Sequence, residues 1–500
     1  MVRFNRRGIA ALVVMTIALT ACSAPPESEG EAAGKEGKPL TVSFMVPLHQ
    51  AETPHPRIEE ILEEKLNASL EIQWIPSTTF EERLHAAFAT GDLPDVAIYS
   101  LTGANRDAIK DGQYWEIGPY LEQYPNLSKL KDEILNNMKV DGKLYSLYQG
   151  RPLSRQGLIF RKDWADRLGL AAPTNTDELY TMLKQFTEND PDQNGQKDTM
   201  GLADRGDLAF GAFKTIASWF GTPNEWGLQD GKLMPAFTFP EYRSAMNYMK
   251  DLRDKGYINL DFPVTSKVDQ QNLVKSGKAG AYIGCMCDVL PLHTDTVKSN
   301  ATAQFDVQNQ IKGPGGEFTV WSTAGYNHPL LFPKSAVKTE EELKRILNVL
   351  DGMMSPEISN LLIWGIEGEH YTTKDGVAVP IADQAKIDKE VSPYKTLELG
   401  EADTNGRLGG QSNYPVNNKA DQLYLDNEKH VVADPTIMLD SATYTQEKDR
   451  LGQIIKDATY KYILGNIDEA GFQKEVERWK SEGGAKVIEE FNASYQQSKG

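Results

Sequence analysis

Oxygen-bearing side chains alternate around one glycine between residues 190 and 198, in the order Asp-Pro-Asp-Gln-Asn-Gly-Gln-Lys-Asp. Calcium takes roughly six to eight oxygen ligands, and EF-hand-like loops supply them at positions 1, 3, 5, 7 and 9, with glycine at position 6 for the turn. The residues at those positions are Asp190, Asp192, Asn194, Gln196 (through its carbonyl) and Asp198. The spacing therefore predicts a calcium ion, and the alternative is a polar turn that binds no metal.

The loop lacks one feature of calcium sensors. A sensor loop adds a bidentate glutamate at position 12, where this chain has Gly201. The preceding helix is predicted by an N-terminal cap at Asn175 and Glu178 and by apolar residues at helical spacing, namely Leu179, Met182, Leu183 and Phe186. A loop that ends one helix and lacks the twelfth ligand is better suited to holding a structural ion than to opening a helix pair.

The N-terminus has the features of an export signal. Arg3, Arg6 and Arg7 precede an apolar run over residues 9–19, and small residues lead to Cys22. The segment resembles a bacterial lipoprotein signal, which implies cleavage after Ala21 and a diacylated Cys22. Residues 1–21 are then the signal peptide, and the polar residues 22–39 form a disordered tether that anchors the protein without spanning the membrane. The alternative is an ordinary secreted protein with an unmodified cysteine.

The charge of the chain restricts the class of partner. The formal net charge is -18, and removal of a signal peptide with three arginines and no acids gives -21 for the mature chain. This acidity argues against nucleic acid as a partner and favours, weakly, a neutral ligand over an anionic one. Peptides and uronic-acid oligomers remain open. The length predicts two large lobes.

The order of elements predicts an α/β fold. Strands are indicated at residues 41–46, 70–74 and 96–99, with helices at 57–66 and after the Thr79/Glu82 capping box, so the first segment reads βαβαβ and predicts a parallel sheet. Ligands bind beyond the carboxyl ends of such strands. Cys285, Cys287 and His293 could indicate a metal site, but no fourth ligand stands at a recognisable spacing. We therefore expect the two cysteines to be small buried apolar residues, with no disulfide framework.

Several motifs in a fixed order carry a family resemblance over almost the whole mature chain. They are the segment ending at Cys22, Gly91-Asp-Leu-Pro-Asp-Val96, Phe160-Arg-Lys-Asp-Trp164, the calcium loop, Gly221-Thr-Pro-Asn-Glu-Trp226 and Gly365-Ile-Glu-Gly-Glu-His-Tyr371. Together they resemble the extracellular solute-binding lipoproteins of bacterial ABC importers, in the large calcium-containing branch that includes oligosaccharide and alginate binders.

The resemblance implies a two-lobe periplasmic-binding-protein-like fold of type II, with parallel-sheet lobes joined by a hinge. Lobe 1 is expected to comprise residues 40–150 and 315–385, and lobe 2 residues 151–314 and 386–500. The implied function is capture of an oligosaccharide by hinge closure and its delivery to the transmembrane subunits of an ABC permease, by a monomer anchored at the extracellular face of the cell membrane. The implied calcium site is structural and away from the cleft. Related loops carry a carboxylate where this chain has Thr199, so Thr199 is a candidate sixth ligand.

Sugar recognition requires aromatic faces and a few polar groups in a cleft. Trp226, in a Gly/Pro/Asn turn, is the first candidate, followed by Trp321, Trp364 and Trp115. Arg151 and Arg155 could bind hydroxyls or a carboxylate, and Asp95 and Tyr326 complete the set. Trp164 and Trp479 lie on helical faces and are expected in the core.

Two rival functions use different features. A surface-anchored glycosidase would need paired carboxylates such as Glu367 and Glu369, and a peptide binder would share the export signal and the two lobes. No G-x-S-x-G elbow, H-E-x-x-H helix or phosphate loop is present in the sequence. Arg205-Gly-Asp207 is a three-residue adhesin-type match that is expected by chance. The order of motifs therefore favours a binding protein that is not an enzyme.

Overall fold

The computed structural model describes residues 39–50, 52–99, 101 and 104–498. The chain divides into Met1–Pro39 and Leu40–Gly500, and every element below belongs to the second unit. The predicted signal peptide, Cys22 and nearly all of the tether lie outside the described residues.

The first part of the chain alternates strands with helices. In order these are β1 (Leu40–Leu48), α1 (Arg57–Leu66), β2 (Ala68–Pro76), α2 (Phe80–Thr90), β3 (Val96–Ile98), α3 (Ala104–Lys110), α4 (Asp132–Asn136), β4 (Ser146–Gly150), β5 (Gln156–Arg161), α5 (Lys162–Arg167), α6 (Thr176–Glu188), β6 (Met200–Ala203), α7 (Ala212–Trp219), β7 (Trp226–Gln229), β8 (Lys232–Pro235), α8 (Pro240–Asp254), α9 (Lys267–Lys275), β9 (Ala279–Cys285), α10 (Val289–Ser299) and β10 (Phe305–Gln308).

The second part is richer in helix. It contains β11 (Val320–Trp321), β12 (Tyr326–Leu331), α11 (Glu340–Met353), α12 (Pro356–Trp364), β13 (Tyr371–Lys374), β14 (Val377–Pro380), α13 (Gln384–Glu390), α14 (Ala402–Asn405), β15 (Gly409–Gly410), α15 (Pro415–Asn427), β16 (Val431–Val432), α16 (Ala442–Ile463), α17 (Glu469–Trp479) and α18 (Ala485–Gln497). The predicted helical stretch 472–495 is divided into α17 and α18 by a π-helical turn, Lys480–Gly484.

Two larger sheets organise the fold. The first has the strand order β2-β1-β3-β12-β4, in which β1 pairs parallel with β2 and β3, as the βαβαβ pattern predicts, and β12 pairs antiparallel with β3 and β4. The second has the order β10-β5-β9-β6, with β6 parallel to β9 and β5 antiparallel to both of its neighbours. Both sheets are therefore mixed, and the short connection between β4 and β5 carries the chain from one sheet to the other.

Separate hydrophobic cores surround the two sheets. The core of the first sheet takes its residues from 42–148 and 330–399. The core on one face of the second sheet takes them from 158–320 and 451–491, and a smaller cluster with Ile159, Tyr282 and Tyr424 covers the other face. This division follows the alternation of side chains along β5, where Leu158 and Phe160 face one core and Ile159 faces the other. Trp164 and Trp479 are buried in the second core, which confirms their predicted role.

Local details test the sequence predictions individually. The capping box at Thr339 and Glu342 is present. The one predicted at Thr79 and Glu82 is wrong, because the Thr79 hydroxyl donates back to the carbonyl of Pro76 and caps no N–H of α2. The expectation that Cys285 and Cys287 are small buried apolar residues is also wrong, because a disulfide joins them at the end of β9 and both are only half-buried. Among the described residues, no helix is both long and apolar enough to cross a membrane.

Candidate functional site

The connection between β4 and β5 carries two neighbouring arginines. The backbone N–H of Arg151 donates to the carbonyl of Gly325 at 2.9 Å, and its Nη1 donates to Oδ1 of Asn327 at 3.2 Å. The Nε of Arg151 is buried and has no hydrogen-bond partner among the described residues. Burial, followed by the positive charge of Arg155, lowers the pKa of Arg151.

Buried amides hold the connecting segments beside these arginines. Nδ2 of Asn427 donates to the carbonyls of Ser154 and Gln156, at 3.2 and 2.9 Å. Nδ2 of Asn224 likewise donates to Ser322 and Val432, both at 2.9 Å. A buried amide with no partner costs free energy, so these hydrogen bonds fix the positions of the segments around residues 154–156, 224, 322 and 427–432 relative to one another.

A cavity of about 530 Å³ lies between elements that surround the first sheet and elements that surround the second. Trp364, Pro380 and Gly410 line it from one side, and α10 and α15 line it from the other. Nε1 of Trp364 donates to the carbonyl of Leu408 at 2.9 Å. A Cβ on Gly410 would lie 2.4 Å from Cη2 of the indole, so only glycine allows this close approach. The predicted candidate Trp364 is therefore held in one orientation at the cavity wall.

The opposite wall of this cavity contains a stacked pair. The rings of His293 and Tyr414 lie 3.9 Å apart at an interplanar angle of 6°. Burial lowers the pKa of His293, and its Nδ1 is buried without a partner among the described residues. The rest of the lining is rich in hydroxyl, amide and carboxylate groups, from Thr294, Gln411, Ser412, Asn413, Asn417 and Asp421. Burial raises the pKa of the nearby Tyr424, and the charge of Asp421 adds to that increase.

A second cavity, about 370 Å³, brings together two of the predicted tryptophans, Trp226 and Trp321. The Trp226 side chain is 5% exposed and its ring packs edge-on against Phe491, with centroids 5.0 Å apart. Trp321 is 4% exposed; its Nε1 donates to Oγ1 of Thr215 at 3.2 Å, and Nζ of Lys214 lies 4.5 Å from the ring centroid. Both rings thus contribute to packing as well as to the cavity wall.

The remaining predicted residues lie elsewhere and make structural contacts. Nε1 of Trp115 donates to the carbonyl of Val337 at 2.9 Å against the first core. Oδ2 of Asp95 accepts from the N–H and the hydroxyl of Ser43, at 2.9 and 2.7 Å, which ties β3 to β1. Tyr326 is half-buried, and burial raises the pKa of its hydroxyl. The structure therefore does not bring Trp115 or Asp95 together with the other candidates.

The predicted calcium loop follows α6 directly. Both oxygens of Asp190 accept backbone bonds, from Asn194 N at 3.1 Å and Gly195 N at 2.8 Å. Gly195 has φ +79°, the conformation that the turn requires. The Gly195 amide lowers the pKa of Asp190, whereas burial and then the neighbouring Asp190 raise that of Asp192. Two carboxylates are thus held close together.

Hydrogen-bond donors, the neutral amide of Asn194 and the ammonium of Lys278, contact the carboxylates of this loop. Nδ2 of Asn194 donates to Asp192 at 3.0 Å and to Asp198 at 3.1 Å, and the Lys278 ammonium binds Asp198, lowering the pKa of that carboxyl. The Asn194 nitrogen occupies the place among the acids that an oxygen-coordinated cation would need, and rotation of the amide would present its oxygen instead. The loop chemistry therefore fits a hard cation. The Thr199 hydroxyl is buried and donates to Phe186 O at 2.8 Å.

Among the described residues, one group of His, Cys, Asp and Glu ligands lies within 4.8 Å of one another, and it is Glu369, His370 and Glu390. Nδ1 of His370 accepts from the N–H of Ile366, which leaves Nε2 as the donor to Glu390. Glu369 is bound by Arg57 and Lys386. Existing cations and protons thus satisfy these atoms in the structure.

Comparison with known proteins identifies similar chains. The family description "Bacterial extracellular solute-binding protein" matches residues 52–348. A polygalacturonan/rhamnogalacturonan-binding protein, YtcQ of Bacillus subtilis, is 41% identical over 496 residues, with 98% of each chain covered. Lipoprotein LipO of the same organism is 32% identical, again with 98% of each chain covered.

Solved structures share the fold at low sequence identity. An HMO-binding, ABC-transporter-associated solute-binding protein of Bifidobacterium longum infantis has a TM-score of 0.71 at 19% identity, with 92% of this chain and 99% of that chain covered. FusA of S. pneumoniae, an ABC-transporter substrate-binding protein solved as an EF-hand mutant with fructo-nystose, has a TM-score of 0.62 at 18% identity, with the same coverage. The fold is thus the two-lobe α/β fold of solute-binding proteins, type II, as the sequence predicts.

Proposed function

The chain belongs to the family of bacterial extracellular solute-binding proteins, and we propose that it captures an oligosaccharide between two lobes and delivers it to an ABC permease. The observation that carries this proposal is the cavity of about 530 Å³ between Trp364, Pro380 and Gly410 on one side and helices α10 and α15 on the other. On this proposal, the first lobe takes the residues of the first core and the second lobe takes the rest, joined through the β4–β5 connection.

The cavity has the chemistry that a sugar ring requires. A pyranose presents a C–H face that packs on an aromatic ring and hydroxyls that need donors and acceptors. Trp364 supplies an indole that is already fixed in place by Leu408 and Gly410. Amide and hydroxyl side chains of the 411–417 segment supply the polar partners. Preorganised groups of this kind bind without the cost of ordering them.

The ligands of related proteins support the choice of carbohydrate. YtcQ is named for polygalacturonan and rhamnogalacturonan, and FusA was solved with fructo-nystose. We therefore propose oligosaccharides of plant or microbial polymers as ligands, with oligogalacturonides as the first to be tested. Trp226 and Trp321 remain proposed contact residues through the second cavity. The named relatives are binding proteins, which supports capture without chemical conversion.

We also propose that the mature protein is a monomer held at the extracellular face of the membrane by lipid on Cys22. The segment around Cys22 and the similarity to LipO support this anchor. A Cys22→Ser protein, expressed in the native host, is expected to leave the membrane fraction and to lose lipid labelling. Lipid labelling that persists in the variant would refute the anchor.

A calcium ion in the loop after α6 is the proposed cofactor. Asp190, Asp192, Asn194, Gln196 and Asp198 would hold it, and it would fix the loop against α6. The oxygen-rich donor set and the naming of an EF-hand in FusA support this proposal. The Thr199 hydroxyl donates its proton to the carbonyl of Phe186, and it would contact the ion through its remaining oxygen lone pairs.

Calorimetric titration of the purified protein with oligosaccharides, in calcium, tests the function. Trp364→Ala is expected to weaken binding of the best ligand by about 5- to 30-fold, since a sugar–aromatic contact is worth ~1 to 2 kcal/mol. Trp115→Ala is the matched control, because its indole also donates at 2.9 Å to a backbone carbonyl but does not line the cavity. An equal loss of ligand affinity in both variants would show that Trp364 does not contact the ligand. Turnover of an oligosaccharide that is not retained stoichiometrically would establish the glycosidase instead.

A further inference from the structure

The ring of His370 lies directly behind the part of the cavity wall that carries Trp364. Helix α12 ends at Trp364, and the chain turns at Gly365, where φ is +82°. A Cβ at Gly365 would lie 2.8 Å from Cγ and from Nδ1 of His370, so only glycine lets the imidazole pack against this turn. His370 is 1% exposed. It belongs to the Gly365–Tyr371 motif, to which the proposed function assigns no role.

Hydrogen bonds join His370 to two segments of that wall. Its Nδ1 accepts from the N–H of Ile366 at 3.0 Å, in the turn after α12. Its carbonyl accepts from the N–H groups of Ile381 and Ala382, at 3.0 and 3.2 Å. These two residues follow Pro380, which ends β14 and lines the cavity. One buried residue thus fixes the turn after α12 and the end of β14 relative to each other.

The acceptor role of Nδ1 determines the protonation state of the imidazole. A backbone N–H can only donate, so Nδ1 carries no proton, and the proton of the neutral ring is on Nε2, 3.1 Å from Oε2 of Glu390. Nε2 is therefore a hydrogen-bond donor and not a metal ligand. Protonation of His370 would place a second N–H against that of Ile366, and the hydrogen bond between them would be lost.

The charged side chains around the imidazole come from its neighbour in the chain and from α13 and α1. Glu369 binds Lys386 of α13 and Arg57 of α1, so it is already paired. Glu390, at the end of α13, contacts Nε2 and is 29% exposed. A carboxylate beside the ring favours the charged form of the ring. Glu390 therefore promotes protonation in acid while it gives Ile366 no acceptor.

We propose that neutral His370 is a positioning residue for Trp364, and that protonation of its imidazole releases this part of the cavity wall and lowers the affinity for oligosaccharide. The inference rests on the proposed function and adds a dependence of that function on extracellular pH. Once the Ile366 N–H has no acceptor, the turn after α12 no longer favours one arrangement. The apparent affinity then falls in proportion to the fraction of molecules that keep Trp364 in place.

Two substitutions distinguish the two nitrogens of the ring. His370→Asn puts an amide oxygen near the place of Nδ1, where it can accept from Ile366, and it does not titrate. His370→Gln extends to the place of Nε2, where it can donate to Glu390, but it leaves Ile366 without an acceptor. Glu390→Gln, at a partly exposed side chain, still accepts from Nε2 and removes the charge that favours the imidazolium. His85→Asn is the control, because His85 is an exposed histidine on another helix, α2.

The indole N–H signal of Trp364 reports on the wall without ligand. Heteronuclear NMR spectra of protein with isotope-labelled tryptophan, in which Trp364→Phe identifies the signal, are recorded from about pH 8 to about pH 5, where histidine side chains titrate. On acidification the signal is expected to move in wild type and His85→Asn and to stay constant in His370→Asn. In His370→Gln the signal should be displaced at every pH, and in Glu390→Gln the response should shift to lower pH.

Calorimetry with trigalacturonate in calcium, over the same pH range, links the wall to affinity. The carboxylates of this probe stay ionised throughout, because ordinary carboxyl pKa values lie at about 4 or below. Wild type and His85→Asn are expected to bind about 5- to 100-fold more weakly at the acidic end of the range, the effect of a buried donor left without an acceptor. His370→Asn should lose most of this difference.

The outcomes separate the inference from the function on which it rests. A Trp364 signal, or an affinity, that responds to acid equally in wild type and His370→Asn overturns the inference and leaves oligosaccharide capture standing. If His370→Asn does not fold, a response in Glu390→Gln with the same midpoint as in wild type overturns it. If no oligosaccharide binds at any pH, the proposed function fails, and a Trp364 signal with the expected pattern would still support the role of His370 in the wall.

Discussion

At the scale of single residues, Asp204 makes stability depend on pH. Its side chain is buried after β6, where Oδ1 accepts from the N–H of Ala212 at 2.8 Å. Burial raises its pKa from 3.8 to about 6. An acid whose folded-state pKa is raised binds protons more tightly in the folded state, so its contribution to stability is present below pH 4 and is lost as pH rises through 6.

Asp204→Asn is expected to remove this dependence, because the amide oxygen can still accept from Ala212. The difference in unfolding free energy, wild type minus variant, should fall by on the order of 3 kcal/mol between pH 4 and pH 7. Urea unfolding at one-unit pH steps measures it. Asp375→Asn, in the exposed turn between β13 and β14, should show no such trend. A difference that is constant with pH would contradict the prediction.

Trp226 shows why burial must be separated from binding at a single residue. Its ring packs against Phe491, so Trp226→Ala is expected to cost about 3 to 5 kcal/mol of stability through the space left behind. Trp226→Phe keeps an aromatic ring at the position and should cost much less. Thermal unfolding and calorimetry of both variants distinguish the roles. If Trp226→Ala unfolds at the wild-type temperature, the packing role is wrong.

The sequence predicts residue roles well where the partners are close in the chain. The cap at Asn175 is an example, since it uses the N–H groups of Asp177 and Glu178. The stack of His293 on Tyr414 joins α10 to the segment before α15. No local sequence pattern predicts this contact, because the two residues are far apart in the chain. Asp95 was a candidate for the cleft because it lies near a strand end, but Ser43, 52 residues earlier, uses its carboxylate.

At the scale of elements, periodicity and caps predict helices more reliably than isolated motifs do. The α1 helix matches its predicted bounds because the apolar stripe and flanking residues agree. The capping box at Thr79 is absent because the backbone there, with φ -118° and ψ 5°, is not in the extended conformation typical of an N-cap, and the hydroxyl donates to the carbonyl of Pro76 instead. The Gly483 position, with φ +134°, divides the C-terminal helix in a way that apolar spacing alone does not reveal.

The calcium loop gives the prediction that belongs to this scale. Asp192→Asn removes one charge from the loop and keeps its shape, so calcium should raise the melting temperature less than it does in wild type. Ligand that binds only the folded state stabilises by about 2.7 kcal/mol at a hundredfold excess over Kd. Asp230→Asn, in the exposed β7–β8 turn, is the control. A wild-type melting temperature that does not respond to calcium or to chelator would contradict the site.

At the scale of the whole molecule, the two sheets and their cores account for the division that the family resemblance implies. The predicted boundaries stay predictions, and the cores favour later ones: Phe318 and Val320 pack with the second core, and Val391–Leu399 pack with the first. The sequence could not place these boundaries because each connecting segment is short and reads as an ordinary loop. What decides them is pairing between segments distant in the chain, such as Val320 with Val431.

An ion-pair cluster joins helix α3, which packs on the first core, to the segment before α16, which packs on the second. Nε of Arg106 binds Asp440 at 2.7 Å, Nζ of Lys110 binds the same carboxylate at 2.9 Å, and Nη2 of Arg106 donates to Met438 O at 3.1 Å. Ile109 of α3 belongs to the first core, whereas Leu439 packs against the second. The cluster therefore stabilises the present arrangement of the two halves.

Asp440→Asn is expected to weaken that arrangement, because two cations lose a partly buried anion shared by both. If the halves move as hinged lobes, the unliganded variant should have a larger radius of gyration in small-angle scattering than wild type, and ligand should restore the wild-type value. Asp254→Asn is the matched control, since Asp254 also binds a lysine and an arginine, Lys250 and Arg253, but both lie with it on α8. The control should leave scattering unchanged. Identical curves for wild type and Asp440→Asn would mean that the hinge segments alone, with their buried Asn427 and Asn224 bonds, set the arrangement of the lobes.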